Sequence, residues 1–226
     1  MILRVFTIIL EPKNPIRFAP DRLQTFFSDR LAEYTALHKD TGTDFLYRYP
    51  AVQCKTIKNS LMVTGISQGA DLIRQISDGQ VEIGAGDNTC TILERDPSIR
   101  QEEFGITGES KTYEFLTPWL ALNQQNAKKF YDLKGKPERD AFMQKILAGT
   151  LSTLAKSVNY PVTVPITSEA KVRFKHERIN RENVMVFVGR FTTNLKIPDY
   201  LGIGQSVSQG YGTIRETAPE NPEPDQ

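Results

Sequence analysis

Leu61-Met62-Val63-Thr64-Gly65-Ile66, followed two residues later by Gly69-Ala70-Asp71-Leu72-Ile73-Arg74-Gln75-Ile76-Ser77, is the stretch on which the fold turns. The first run reads as a strand and the second as a short helix. Downstream, Val81–Ile83 and Thr89–Leu93 read as closing strands around the turn Gly84-Ala85-Gly86-Asp87-Asn88. Upstream, Ala51–Thr56 is another strand-like run. Before it, Phe45, Tyr47 and Tyr49 alternate with Leu46 and Arg48 until Pro50 interrupts. Farther back, Ile2–Leu10 reads as a strand, and Pro20 opens a helix with Leu23, Phe26, Phe27, Leu31 and Tyr34 at helical spacing. The order is βαββαβ, that of a ferredoxin-like unit.

The second half repeats the pairing of strands with helices without repeating the sequence. Polar residues from Glu94 to Ser110, with Pro97, Gly105 and Gly108, read as the boundary. Thr117-Pro118 resembles a cap and first helical position, predicting a helix through Trp119, Leu122 and Phe130. A longer helix is predicted over about 138–158, striped by Phe142, Ile146, Leu147, Leu151, Leu154 and Val158. Strands are expected at 162–176, 184–195 and 213–215, with Asn180-Arg181-Glu182-Asn183 as a hairpin turn. The fold class is therefore α+β: two tandem ferredoxin-like (RRM-like) domains, at 1–108 and 109–216, with a disordered tail at 217–226.

The 226 residues, 39% hydrophobic and 24% charged, allow one large domain or two small ones. Met1–Leu10 reads as a strand rather than a secretory leader, since Arg4 breaks the apolar run and no small-residue cleavage site follows. No stretch is long and apolar enough to span a membrane. Cys54 and Cys90 lie in no Cys-x-x-Cys or Cys/His cluster, so neither a zinc site nor a disulfide framework is indicated, and a reducing, cytoplasmic setting is expected. The formal net charge is only +1. Its distribution is uneven: residues 128–196 hold 14 Lys and Arg against 6 Asp and Glu, whereas residues 82–114 hold 3 against 8. Such asymmetry fits a polyanion-facing surface in the second half, or solvated helix faces.

The segment Gly202-Ile203-Gly204-Gln205-Ser206-Val207-Ser208-Gln209-Gly210-Tyr211-Gly212 contains two Gly-x-Gly pairs and no acid. Glycines at Gly202, Gly204, Gly210 and Gly212 let backbone approach a ligand and expose N–H groups to phosphate oxygens, while Gln205, Ser206 and Ser208 add neutral donors. A flexible strand connection is the alternative. The spacing is neither a dinucleotide fingerprint nor a Walker loop. Lys171, Arg173 and Lys175 alternate along one strand, a stripe suited to tracking phosphates or simply a solvated sheet face.

With the blocks Phe45-Leu46-Tyr47-Arg48-Tyr49-Pro50 and Trp119-Leu120-Ala121-Leu122-Asn123-Gln124, the glycine segment resembles the CRISPR-associated endoribonucleases of the RAMP superfamily that process precursor CRISPR RNA. The resemblance implies two ferredoxin-like domains and metal-independent cleavage within repeats. In that chemistry an RNA 2′-hydroxyl attacks the adjacent phosphate, leaving a 2′,3′-cyclic phosphate and a 5′-hydroxyl. No metal or other cofactor is implied.

Of the chain's two histidines, His38 falls at the end of the predicted first helix, where the family places its catalytic histidine. Imidazole titrates near working pH, and a helix C-terminus favours its cationic form. Tyr47, Arg48 and Lys55 are candidate helpers, to orient the 2′-hydroxyl or offset developing negative charge. His176 is read as surface or RNA-facing. Asp40 stands where some relatives carry a second histidine, so a catalytically inactive CRISPR RNA-binding protein of the same superfamily is the alternative. The resemblance implies precursor CRISPR RNA as partner. Proteins of a CRISPR interference complex are further candidates, and the oligomeric state, a homodimer included, stays open.

Overall fold

The computed structural model describes residues 1–12, 51–58, 60–77, 82–83, 90–179 and 181–218. Strand β1 (Ile2–Pro12), β2 (Val52–Ile57), β3 (Ser60–Ile66), β4 (Glu82–Ile83) and β5 (Cys90–Glu103) form an antiparallel sheet ordered β2-β3-β1-β5-β4. Helix α1 (Gln68–Ser77) follows β3 with Leu72 and Ile73 buried, so the Leu61–Ser77 reading holds. The order β2-β3-β1-β5 is that of a ferredoxin-like sheet, with β4 added as a short hairpin partner of β5.

The second sheet contains β6 (Gly105–Phe115), β7 (Ser168–Ile179), β8 (Glu182–Lys196) and β9 (Ile214–Thr217), ordered β7-β8-β6-β9. Helices α2 (Gln124–Asp132) and α3 (Lys136–Ser157) lie between β6 and β7 in the chain. Leu147, Leu151, Leu154 and Ala155 of α3 are buried in one cluster with Phe187, Phe191 and Leu195 of β8. Tyr113 packs flat on Phe191, and Phe115 flat on Trp119, at centroid distances of 5.3 and 5.1 Å. The strand order is again ferredoxin-like. A connection with only a 3₁₀ turn, Val207–Gln209, stands where a second helix would run between β8 and β9.

Several expectations are corrected. Residues 94–110, read as the boundary from their polarity, do contain the change of sheet, at Phe104, but are strand on both sides of it rather than loop. Much of their backbone is spent on ladders: Glu94–Glu103 pair with β1, and Gly105 and Ile106 pair with β8. Thr117-Pro118 does not open a helix. Trp119 instead forms an antiparallel bridge with Phe187, and α2 begins six residues later than its expected cap, where Asn123 Oδ1 accepts the Asn126 N–H at 2.8 Å. Residues 162–167 carry no ladder, since Pro161 and Pro165 have no N–H to give, and β7 begins at Ser168 and runs on to Ile179. Thr217, assigned to the tail, pairs with Thr112. Residues 219–226, the expected first helix from Pro20 and the Phe45–Pro50 block lie outside the described residues.

Candidate functional site

The glycine segment is anchored at both ends by backbone. Gly202 and Thr213 form an antiparallel bridge, Ile203 N–H donates to Gly212 O at 2.9 Å, and Ile214 N–H donates to Leu201 O at 2.9 Å. Within it Ser206 adopts a left-handed conformation (φ 53°), Val207–Gln209 make one 3₁₀ turn, and Gly210 (φ 86°) closes it. Val207 is 4% exposed and pins the turn to the core. Thr117 Oγ1 donates to Gly210 O at 2.6 Å and accepts the Thr213 N–H at 2.9 Å, so one hydroxyl ties both flanks.

Close approach requires glycine at Gly202, Gly204, Gly210 and Gly212, and two of them show how the segment is seated. A Cβ on Gly204, which has φ +95°, would stand 2.5 Å from Trp119 Nε1 and 2.8 Å from Leu120 O. A Cβ on Gly210 would stand 2.8 Å from Lys55 Cα. The first seats the loop on its own domain and the second on β2 of the other.

Contact with β2 is polar and buried. Gln53 Oε1 accepts the Gly202 N–H at 2.9 Å and a Lys55 Nζ hydrogen at 3.0 Å, while Lys55 Nζ also donates to Tyr200 O. Gln53 and Lys55 are each 1% exposed. Burial pulls the Lys55 ammonium down to about 7, and burial pushes the neighbouring Cys54 thiol up to about 12. The direction at Lys55 is consistent with its partners: a neutral amine has two N–H donors for two carbonyl acceptors, whereas an ammonium would bury a third hydrogen with no acceptor among the described residues. Lys55, expected among the catalytic helpers, therefore sits beneath the loop and holds it. Its burial leaves it no surface for RNA.

Above this anchor, Gly204, Gln205 and Ser206 are exposed, and Ser208 is half-buried; Gly202, Gly210 and Gly212 are buried. Most amides of the segment are internally committed. Those of Gly204, Ser206 and Val207 have no acceptor among the described residues; Gly204 and Ser206 are exposed, so the outer turn presents two backbone donors, whereas Val207 is buried. Lys171, Arg173 and Lys175 are exposed on one face of the edge strand β7. Lys175 pairs with Glu177 at 2.7 Å, while Lys171 and Arg173 border an open hollow of about 830 Å³ lined also by Lys136, Asp140 and Glu169. The structure thus joins the glycine segment to Lys55 and sets the basic stripe on another strand. His38, Asp40, Tyr47 and Arg48 lie outside the described residues. Gln53 went unnoticed in the sequence, and Thr117 and Trp119 were read as a helix start rather than as supports of this segment. The available signal was Gln53 and Lys55 at strand spacing within the otherwise apolar Ala51–Cys54 stretch.

Two antiparallel α+β domains in tandem, with a glycine-rich connection before the last strand, define a RAMP-like protein. Residues 1–103 match the Cas6b N-terminal domain and residues 105–217 the Cas6b C-terminal domain; the chain belongs to the Cas6b family. A crystal structure of Cas6b superposes with a TM-score of 0.80 at 26% identity, over 96% of this chain and 100% of that one. A second, of the CRISPR RNA processing endoribonuclease Cas6b, gives 0.73 at 25% identity with the same coverage. An uncharacterized protein of Methanocaldococcus jannaschii is 30% identical over 122 residues, 51% of this chain and 79% of the relative.

Trp119 is the only tryptophan and is fully buried, so its emission reports on loop seating. Gly204→Ala should cost about 2 kcal/mol through left-handed strain alone and shift the emission to the red; an unchanged spectrum and urea midpoint would contradict the close approach. Lys55 has a second signature. Its folded pKa lies below its unfolded value, so the unfolded state binds the extra proton and wild-type stability rises with pH from about 7. Above pH 9.0, the ordinary value of the thiol, Cys54 opposes this, because its raised pKa makes the folded state hold the extra proton. Between pH 7 and pH 9 wild type should therefore gain stability over Lys55→Met, on the order of 1 kcal/mol per pH unit at most. Urea melts at the two pH values give the comparison, and an equal difference at both would contradict it.

Proposed function

We propose that the chain is a metal-independent endoribonuclease that cleaves precursor CRISPR RNA within its repeats. The observation that carries this reading is membership of the Cas6b family across both domains, residues 1–103 and 105–217. The glycine segment supports it: uncommitted amides at the exposed Gly204 and Ser206, flanked by exposed Gln205 and no carboxylate within the segment, suit a phosphate oxygen. Because its underside is hydrogen-bonded to β2, the donors need little reorganisation when the anion arrives.

The RNA supplies the nucleophile. Its 2′-oxygen forms a bond to phosphorus as the bond from phosphorus to the 5′-oxygen breaks; the 2′-hydroxyl proton leaves to a base, and the departing 5′-oxygen takes one from an acid. His38 is the residue proposed for proton transfer, and Tyr47 and Arg48 are proposed to orient the 2′-hydroxyl and offset charge at the phosphorane. The amides of the glycine segment hold the backbone of the RNA, and Lys171, Arg173 and Lys175 draw its phosphates by charge. Asp40, in the place of a second histidine, favours a second reading in which the chain grips CRISPR RNA without cutting it.

Labelled repeat RNA incubated with the protein in EDTA should yield 5′-hydroxyl and 2′,3′-cyclic phosphate ends. A 2′-deoxy substitution at the cut site should abolish cleavage, and His38→Ala should slow it by ~10²–10⁴-fold. Cleavage of the deoxy substrate would overturn the mechanism, cleavage unaffected by His38→Ala would overturn the site, and binding without cleavage by wild type would establish the second reading.

A further inference from the structure

Edge strand β7 carries different chemistry on its two faces. Lys171, Arg173 and Lys175 lie on one; Phe174, His176 and Arg178 alternate onto the other. Against that second face stands Tyr131 of α2, whose Oη is hydrogen-bonded to His176 Nε2 at 2.6 Å. The two rings are 8° from parallel, with centroids 6.4 Å apart. Rings stacked face to face would be separated by about 3.5 Å, more than the 2.6 Å between these two edge atoms. The rings therefore lie end to end in nearly one plane and form a flat plate longer than either ring alone.

Both rings are exposed, Tyr131 at 52%. Phe174, 39% exposed, stands at 87° to His176 with centroids 6.0 Å apart and is backed by Phe130 at 5.6 Å. The hydrogen bond fixes both side chains of the plate before any ligand arrives, so stacking on it loses little rotamer freedom.

Exposed cations stand on the same two elements as the plate. Lys128 precedes Tyr131 by three residues on α2 and shares its side of the helix; Lys129 follows Lys128; Arg178 shares the strand face of His176. All three are exposed, and none makes an ion pair among the described residues. Asp132, at the end of α2, is the one carboxylate adjoining Tyr131 in sequence, and Glu177 is engaged with Lys175 on the opposite face. A preset aromatic plane with exposed cations on both of the elements that build it suits a nucleobase and its flanking phosphates. We propose that Tyr131, His176 and Phe174 form a stacking platform for an unpaired nucleotide, a second RNA contact outside the glycine segment. It rests on the RNA-handling reading of the chain.

The test uses the full chain and a single-stranded eight-nucleotide oligoadenylate containing one 2-aminopurine, whose fluorescence is quenched by stacking. Wild type should bind and quench it. Tyr131→Leu/His176→Leu should raise the dissociation constant about tenfold, within the range of one lost base–aromatic stack, and abolish the quench, with thermal melting unchanged because both side chains are exposed. Tyr131→Trp should retain both signals. Equal affinity and quench in the double variant would overturn the platform, as would failure of wild type to bind the oligonucleotide. Cleavage of repeat RNA, assayed in parallel, shows whether the RNA reading fails with it or stands alone.

Discussion

Gln53 and Lys55 form the polar contact on which the arrangement of the glycine segment depends. Two polar side chains at 1% exposure are costly unless every group is answered. Here the acceptor of Gln53 serves both the Gly202 N–H and the lysine, and the lysine reaches the Tyr200 carbonyl. One strand of the first sheet thereby fixes the entry of a loop that belongs to the second. Gly210, pressed on the Lys55 backbone, fixes its exit.

This constraint explains why the glycines fall into two groups. Gly202, Gly210 and Gly212 are buried and serve backbone approach and bridging beneath the loop, while Gly204, Gln205 and Ser206 face outward. The whole run reads from sequence as one phosphate cradle. In the structure, its lower part is a joint and only its upper turn has donors to spare. A 3₁₀ turn suffices where the ferredoxin-like plan would place a helix, because Val207 supplies the apolar anchor and Thr117 the hydrogen bonds that a helix face would otherwise provide.

Much of the fold was legible from the chain. β1, β3, α1 and α3 follow from apolar runs and helical spacing, and the two ferredoxin-like strand orders from their succession. What misled was composition without context. The polar residues around Phe104 looked like an irregular boundary because a polar strand and a loop share a composition, although most of their backbone is laddered. Thr117-Pro118 looked like a helix start, yet Trp119 pairs with Phe187 and its ring belongs to the core, which tertiary packing decides and local propensity does not. The site was half legible: Lys55 was noticed, but its burial and its partner Gln53 depend on a contact across about 150 residues of chain, which no local pattern encodes. The plate of Tyr131 and His176 likewise arises from two distant elements.

The central claim is that the glycine segment is a seated joint with a free upper turn, and residue-resolved hydrogen exchange measures both properties at once. In the free protein the amides of Gly202, Ile203 and Gly212 should exchange slowly, and those of Gly204 and Ser206 fast; adding repeat RNA should slow the second set and leave the first unchanged. Uniformly fast exchange across residues 202–212, or Gly204 and Ser206 amides indifferent to bound RNA, would contradict the account.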